Sequence, residues 1–393
     1  MLLGLTSLFT DISSEMVNAV LPLYLTLQLG FSPLQFGLVD GFYHGITALA
    51  RIQGGLVADR HGRYKEVAGA GYALSAACKV GLWSAGSGWA PTVGFLFLDR
   101  FGKGIRTPPR DALISLSTPT ASLGEAFGVH RALDTVGALL GPILAFGLLA
   151  LIPGAYDAIF VTSFFVALIG LGVLLFFVSN AVGGPSFSRD PVRPMVSLGS
   201  IVSLIRLPRF KAVLVAAVVL SIATVSDSFV YLILQRTAQI PPSFFPLLYV
   251  GTSLVYLLLA VPAGKLADRL GRSTLFLGGH GLLLGLYVVM LWPHLGSIGL
   301  ILSLLLLGAY YAATDGVIMA IASAALPASH RTTGLALLTT LAALSRLVGS
   351  SLFGALWAWY GPWWSFTAFL VGLLAAATFA SAMLARAKRM ETT

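Results

Sequence analysis

The chain has 393 residues, of which 57% are hydrophobic and only 10% are charged, and its formal net charge is +9. Soluble domains carry about 25% charged residues, so this composition excludes a water-soluble globular protein. The positive charge lies in short loops between apolar stretches, where membrane topology explains it, and we expect no nucleic-acid partner. The single cysteine, Cys78, excludes internal disulfides and any multi-cysteine metal site.

Apolar runs of about 20 residues, the length that crosses a hydrocarbon core of about 30 Å as a helix, recur along the whole chain. Their length and continuity are unlike the alternating strands of a membrane barrel, so we predict an all-α integral membrane protein with about twelve spanning helices. The predicted spans are 2–28, 34–58, 66–87, 91–113, 128–150, 156–179, 210–234, 244–267, 274–292, 296–322, 333–356 and 362–386.

The first run is not expected to be a cleaved secretion signal, because it has no basic leading segment and contains Asp11 and Glu15 in its middle. Basic residues of the predicted loops fall almost entirely on one side of the membrane, while the opposite loops contain essentially only Arg236. The positive-inside rule assigns the basic side to the cytoplasm. We therefore expect an inner or plasma membrane protein with both termini in the cytoplasm.

A polar linker divides the helices six and six. The stretch NAVGGPSFSRDPVRP is rich in Gly, Pro and Ser, and the segment after it is predicted to form a short amphipathic helix on the cytoplasmic surface. The predicted domains are a six-helix bundle at 1–180, a linker at 181–208 and a second six-helix bundle at 209–393. Such parallel repeats occur in transporters that bind substrate between their halves.

The same charged turn appears in each half, as GGLVADRHGR and AGKLADRLGR, with Gly55 and Gly264 marking a repeat distance of 209 residues. The shared pattern GxxxDRxGR resembles the signature loop of the major facilitator superfamily, and the resemblance covers essentially the whole chain. It implies a gating role at the cytoplasmic face, against the simpler alternative of charge that only sets topology. The gating candidates are Gly55, Asp59, Arg60, Gly62, Arg63, Gly264, Asp268, Arg269, Gly271 and Arg272.

Charged residues within the predicted spans are costly and normally face a cavity or a partner. Asp11 and Glu15 lie four residues apart on the first helix, hence on one face. Asp40, His44 and Arg51 share one face of the second helix. Lys79 of the third helix is expected to extend its amine outward to the membrane surface.

The fourth helix contains LDRFGKGIRTPPRDAL, in which Arg100 to Gly104 form RxxxG. This string resembles the superfamily's fourth-helix motif, and the resemblance implies a part for Arg100 in proton transfer. The Pro108, Pro109 pair is expected to end or bend the helix. Together with DISSEM in the first helix, the segment is similar to one branch of the superfamily, a membership that implies no particular substrate.

The fifth helix contains Gly137, Gly141 and Pro142 as GxxxGP. This motif resembles that of the drug and proton antiporters of the superfamily, and its physical role would be close helix packing with a bend. It favours antiport over symport.

A carboxylate in a low-dielectric surrounding takes up a proton more readily, so buried acids can couple transport to protons. The coupling candidates are Asp11, Glu15, Asp40, Asp134 and Arg100. The substrate-cavity candidates are His44, Arg51, Lys103, Arg106, Asp227, Tyr231, Tyr310, Asp315 and Arg346. The alternative for each charge is an ion pair that only joins helices. His44 and His130 lack the spacing of a metal site, so no metal is expected.

These observations predict a secondary transporter that works by alternating access, with proton-coupled antiport and efflux of a small organic solute as the leading mechanism. The alternatives are an importer, symporter or uniporter of an anionic metabolite, and a non-transporting membrane protein with the same fold. No phosphate loop GxxxxGK[ST] and no GxSxG nucleophile motif occurs, so we predict no enzyme. The expected partners are a small-molecule substrate and the lipid bilayer, with no cofactor, a proton gradient as energy source, and a monomeric state.

Overall fold

The computed structural model describes residues 1–119, 122–179, 204–292, 296–327 and 331–392, and these residues contain helices and no strand. The first half has α1 Leu2–Asn18, α2 Pro33–His61, α3 Tyr64–Ala85, α4 Trp89–Leu116, α5 Leu123–Leu151 and α6 Tyr156–Gly172. The second half has α7 Pro208–Ile222, α8 Asp227–Thr237, α9 Pro246–Leu270, α10 Arg272–Met290, α11 Gly296–Ala324 and the element Arg331–Thr392. Gly361, with φ 81° and ψ 170°, divides that last element into α12 (331–360) and α13 (362–392).

The predicted all-α membrane fold with twelve spans is confirmed. Seven helical segments of the described chain are long and apolar enough to span a membrane by length and composition alone, and all lie from α5 onward. Of the two effects expected of the Pro108, Pro109 pair, it does not end α4, which continues to Leu116, because membrane helices tolerate proline where neighbouring groups satisfy the freed backbone. The bend stays a prediction. The span predicted at 210–234 is found as the spanning segment Pro208–Thr237, and it consists of two helices, α7 and α8.

The first spanning segment of each half is interrupted. In the first half, α1 ends at Asn18 and is followed by a short turn Leu21–Leu23 and a π-helical turn Tyr24–Gln28. In the second half, the hydroxyl of Tyr287 binds backbone groups at the break between α7 and α8. It accepts a hydrogen bond from the Val225 N–H at 2.7 Å and donates one to the Ala223 carbonyl at 3.1 Å. Interrupted helices at matching places of two repeats are the usual sign of a transport site.

Contacts group the described residues into two compact units. The first unit takes those within Met1–Ser32, Phe42–Phe187 and Ile240–Val250, and its most extensive packing is between α3 and α4 and between α1 and α5. The second takes those within Pro33–Gly41, Ser188–Gln239 and Gly251–Thr393, with α10 packed on α11 and α7 on the α12–α13 element. The boundaries 1–180, 181–208 and 209–393 stay a prediction, since the linker falls mainly on residues outside those described.

Candidate functional site

Two acids of α1 face two bases of α4 in the first unit. The Lys103 ammonium lies 3.3 Å from Glu15 Oε1 and 3.9 Å from Asp11 Oδ1. The Arg106 guanidinium lies 3.8 Å from the same Asp11 oxygen, and its planar face rests on the Tyr72 ring at 4.4 Å. Asp11, Glu15, Lys103 and Arg106, called here the α1–α4 cluster, balance two negative and two positive charges. Most of its separations exceed ordinary charge-assisted hydrogen-bond lengths of about 2.7–2.9 Å.

The GxxxGP motif of α5 packs against the turn that carries these acids. A Cβ atom added at Gly141 would lie 2.8 Å from Glu15 Cβ, and one added at Gly137 would lie 2.8 Å from the Leu8 carbonyl oxygen. Both positions exclude any side chain, so the two glycines allow α1 and α5 to touch along their backbones. The motif thereby fixes where the Asp11 and Glu15 carboxylates sit relative to α5.

Arg100 lies in a buried network that sequence reasoning missed. Its guanidinium donates to Asp99 Oδ2 at 2.6 and 3.1 Å and sits over the Tyr43 ring at 4.2 Å. The other oxygen of Asp99 binds the Lys79 ammonium at 2.5 Å. Lys79 does not reach the membrane surface: it is 2% exposed, because Asp99 on the neighbouring helix neutralises it. The only hint in the sequence was the adjacency of Asp99 and Arg100.

A second polar group lies where α5 meets α4 and α1. His130 Nε2 lies 3.4 Å from Asp134 Oδ2, and both imidazole nitrogens and Asp134 Oδ1 are buried without a hydrogen-bond partner in the described chain. Close by, Arg110 pairs with Asp111 at 2.9 Å and donates to the Ser7 hydroxyl at 2.8 Å. Asp134 therefore lacks the close cationic partner that Glu15 has in Lys103.

The candidates of the second half form a smaller acidic and aromatic group. The Tyr311 hydroxyl donates to Asp227 Oδ1 at 2.7 Å, and Arg346 interacts electrostatically with both Asp227 and Asp315. The Tyr310 and Tyr311 rings are in contact, with centroids 5.0 Å apart and planes tilted by 52°. Asp227 is the first residue of α8, directly after the helix break, where the positive end of the helix dipole favours a carboxylate.

The buried Tyr231 hydroxyl donates to the Thr252 hydroxyl at 2.8 Å. Of the three candidates of α2, Asp40 is buried and accepts a hydrogen bond from the Ser350 hydroxyl at 2.7 Å, whereas His44 and Arg51 are exposed.

Each of the two repeated turns contains a glycine with a positive φ angle. Gly62 and Gly271 adopt left-handed φ angles of 62° and 96°, which only glycine takes up freely, and each lies between two helices. Asp268 pairs with Arg272 at 3.2 Å on an exposed turn. In the first turn, partial burial and the Asp59 carboxylate raise the pKa of the Tyr64 phenol above its ordinary value. The other charged candidates there are exposed, namely Arg60, Arg63 and Arg269.

In the part of the chain that the structure describes, no three His, Cys, Asp or Glu side chains lie close enough together to hold a metal ion. The charged side chains of the site can bind and release protons at carboxylates, exchange ion pairs, and hold a charged solute.

An all-helical chain of two repeats, with paired acids and bases inside its spans, defines a membrane transporter of the two-bundle type. The sequence profile of the Major Facilitator Superfamily matches residues 3–237 and again 212–392. The chain belongs to this superfamily. It is therefore a multi-pass membrane protein of a transporter family and not an enzyme.

Relatives and solved structures agree with this assignment. An uncharacterized MFS-type transporter of Methanocaldococcus jannaschii is 30% identical over 362 residues, which cover 91% of this chain and 87% of that protein. An uncharacterized protein of Mycobacterium tuberculosis is 33% identical over 153 residues, 39% of this chain and 37% of its own length.

Among solved structures, a mutant of the peptide transporter POT superposes with a TM-score of 0.79 at 17% identity, covering 99% of this chain and 94% of its own. A mutant of the nucleoside transporter NupG has a TM-score of 0.78 at 13% identity, covering 97% and 98%. At these identities the likeness shows the fold alone, so the substrate has to be argued from the site.

Proposed function

We propose that this protein is a secondary active transporter that works by alternating access and exports a small organic solute in exchange for protons. The observation that carries the proposal is the α1–α4 cluster, with Asp11 and Glu15 held between two cations and packed on the GxxxGP motif. Acids placed at this depth are costly and are retained where they do chemistry. The motif's resemblance to that of antiporters supports exchange over symport.

The coupling step that we propose is the exchange of one ion pair. When Glu15 takes up a proton it no longer attracts Lys103, which lies 3.3 Å away. Lys103 then turns towards Asp11, where Arg106 already lies 3.8 Å from the carboxylate. The separations support this step, because a network held at about 3–4 Å rearranges at a lower cost than one of short charge-assisted bonds. A solute that competes with the proton at Glu15 would be exchanged for it.

Asp134 is the second carrier that we propose. One of its buried oxygens has no hydrogen-bond partner in the described chain, and the other lies 3.4 Å from His130 Nε2. An unpartnered carboxylate oxygen is stabilised by a bound proton. Arg100 and Asp40 stay candidates for coupling, and His44, Arg51, Asp227, Tyr310, Asp315 and Arg346 stay candidates for the cavity.

A specific observation also favours an alternative, the uptake or facilitated passage of an anionic metabolite. Protonation of Asp11 and Glu15 would leave Lys103 and Arg106 as two adjacent unpaired cations. Arginine and lysine in such pairs bind carboxylate or phosphate. In that case the proton and the anion would enter together, whereas in exchange the proton enters as the solute leaves.

The remaining features of the proposal concern the setting of the protein. We propose that it lies as a monomer in the inner or plasma membrane with both termini in the cytoplasm, and that the proton gradient is its energy source without any cofactor. The charged turns around Asp59, Arg60, Asp268 and Arg269 act in gating. The excess of basic residues on one side of the predicted spans supports this orientation.

The experiment uses purified protein in liposomes with a trapped pH dye and an imposed proton gradient. The panel of probes contains lipophilic cations, divalent metals, sugars and organic acids, and the reading is substrate-dependent proton flux. We expect proton movement against solute movement for one class, abolished by Glu15→Gln and Asp134→Asn. The matched control is Glu125→Gln, because Glu125 is an exposed acid at the start of α5 outside the site.

Each alternative gives a different result. Protons and an organic acid that move in the same direction would replace exchange by symport. Solute movement without protons would replace it by uniport. If no probe of the panel produces flux, and thermal denaturation shows that the protein is folded, the result would count against transport as the function.

A further inference from the structure

The network around Asp99 contains one acid and two bases in a buried place. Lys79 is 2% exposed, and Asp99 and Arg100 are each 4% exposed. Asp99 Oδ1 accepts from Lys79 at 2.5 Å and from the Ser75 hydroxyl, while Oδ2 accepts both bonds from Arg100. The two oxygens of the Asp99 carboxylate therefore have partners on different helices. Oδ1 accepts from side chains of α3, and Oδ2 accepts from Arg100 of α4.

Close packing of the two helices places these groups together. A Cβ atom added at Gly102 would lie 2.8 Å from the Gly71 carbonyl oxygen, so α3 and α4 touch there along their backbones. Ser75 and Lys79 follow Gly71 at steps of four residues and hence lie on the same face of α3. Asp99 lies one turn before Gly102 on α4 and meets both of them.

Arg100 is a second positive charge on the same carboxylate. A buried lysine and aspartate neutralise each other, so the arginine adds a desolvation cost of its own. The guanidinium of Arg100 is nevertheless fixed twice, at its edge by Asp99 Oδ2 and on its face by the Tyr43 ring at 4.2 Å. Arg100 also interacts electrostatically with Glu15 of the α1–α4 cluster.

We propose that Asp99 is a positioning residue, which holds the Arg100 guanidinium against the Tyr43 ring and at a fixed place relative to Glu15. Ser75 and Lys79 bind Oδ1 and so fix which way the carboxylate faces, leaving Oδ2 for Arg100. This inference rests on the proposed function for the importance of Arg100, but the geometry that it states can be measured without a substrate. It adds Asp99 to the residues on which coupling depends.

The test compares a double variant that keeps the net charge of the chain with two single variants that each lower it by one. Asp99→Asn alone leaves Lys79 and Arg100 as two buried unpaired cations, and its failure to fold would be uninformative. The pair Lys79→Met with Asp99→Asn removes one positive and one negative charge, which well-packed interiors accept. Lys79→Met alone is the control, because the bonds from Ser75 and Arg100 to Asp99 are retained. Arg100→Gln defines the state in which the contact is lost.

The reading is the ¹⁹F resonance of 3-fluorotyrosine incorporated only at position 43. We expect the double variant to shift this resonance to the position found in Arg100→Gln, and Lys79→Met to leave it near that of the unmodified network. If the resonance of the double variant has the same position as that of Lys79→Met, the proposal is overturned. The variants are compared after equal thermal stability has been established. If Lys79 and Asp99 served only the packing of the two helices, the ¹⁹F resonance at position 43 would then not shift.

Proton flux in liposomes separates the inference from the proposed function. We expect the double variant to lose about tenfold or more of the flux, as misplaced binding groups do, and Lys79→Met to lose far less. A shifted resonance with unchanged flux would leave Asp99 as the residue that positions Arg100 and would remove Arg100 from coupling. An unshifted resonance with lost flux would reject the positioning role while proton coupling stands.

Discussion

The two halves share one architecture and hold their charges differently. In the first half, acids and bases on α1, α3 and α4 neutralise each other across helices, from the 2.5 Å pair of Lys79 with Asp99 to the 3.9 Å approach of Lys103 to Asp11. In the second half, Asp227 is held by the hydroxyl of Tyr311, and Arg346 faces two acids. The comparison teaches that a repeated backbone constrains helix packing much more than it constrains the chemistry that the helices carry.

Replacing the main cation of each half should give the largest difference between them. Arg346→Met leaves Asp227 and Asp315 without the base that interacts electrostatically with both, and we expect a loss on the order of 3 kcal/mol in unfolding free energy, the cost of an unneutralised charge within the membrane. Lys103→Met should cost about 1 kcal/mol, because Arg106 still faces Asp11. Thermal denaturation in lipid measures both. Equal losses would mean that the two halves neutralise their acids in the same way.

Packing of α5 on α1 is the next largest effect. Gly141→Ala places a methyl group 2.8 Å from Glu15 Cβ, and we expect it to destabilise the protein by about 2 kcal/mol through overpacking. Gly147→Ala is the matched control on the same helix, since a Cβ there meets nothing within 4 Å. Denaturation midpoints of the two variants provide the test. Identical midpoints would show that α1 and α5 do not touch at the acids.

Removing a single oxygen atom, that of the Tyr287 hydroxyl, should destabilise the break between α7 and α8. Tyr287→Phe removes the group that binds the Val225 N–H and the Ala223 carbonyl, at an expected cost of about 1–3 kcal/mol for unsatisfied buried groups. Amide hydrogen exchange at Val225 should accelerate with it. Tyr360→Phe is the control, because its side chain is exposed. Unchanged exchange at Val225 would show that the break is held by other contacts.

The repeated turns should show the smallest effect and no difference between halves. Gly62→Ala and Gly271→Ala each force a Cβ into a left-handed conformation, at about 1 kcal/mol. Asn in either place should restore part of the loss, since it tolerates this conformation better than Ala. Denaturation midpoints measure both series. If stability falls in the variants of one turn only, the two turns are not structurally equivalent, although they are the most similar segments of the two halves.

Much of the fold follows from the sequence, because hydropathy over twenty residues depends little on tertiary contacts. The predicted span 34–58 corresponds to α2 Pro33–His61, and 296–322 to α11 Gly296–Ala324. The break after Ile222 did not follow, since residues 223–226 are Ala, Thr, Val and Ser, without Gly or Pro. The break depends on Tyr287, which is sixty residues away in the chain.

The site was predictable only where its signal lies within one helix. Asp11 with Glu15, and Gly137 with Gly141, have spacings that place each pair on one face, and the structure packs these two faces together. Lys79 was misassigned because its partner is on another helix, and a single-helix argument sees only an isolated charge. Asp40, His44 and Arg51 share a helical face by spacing, but only Asp40 is buried, because burial depends on the neighbouring helices and not on the spacing.

The Tyr287 hydroxyl also has an evolutionary consequence. Phenylalanine would fill the same buried volume, but it would leave one backbone donor and one backbone acceptor unpaired inside the protein. Among descendants of this sequence, substitution at position 287 should therefore be purged more strongly than at buried neighbours such as Leu283 and Leu286, which serve packing alone. If descendants keep tyrosine at position 287 while the other apolar positions of the helix vary, the break between α7 and α8 has been inherited with it.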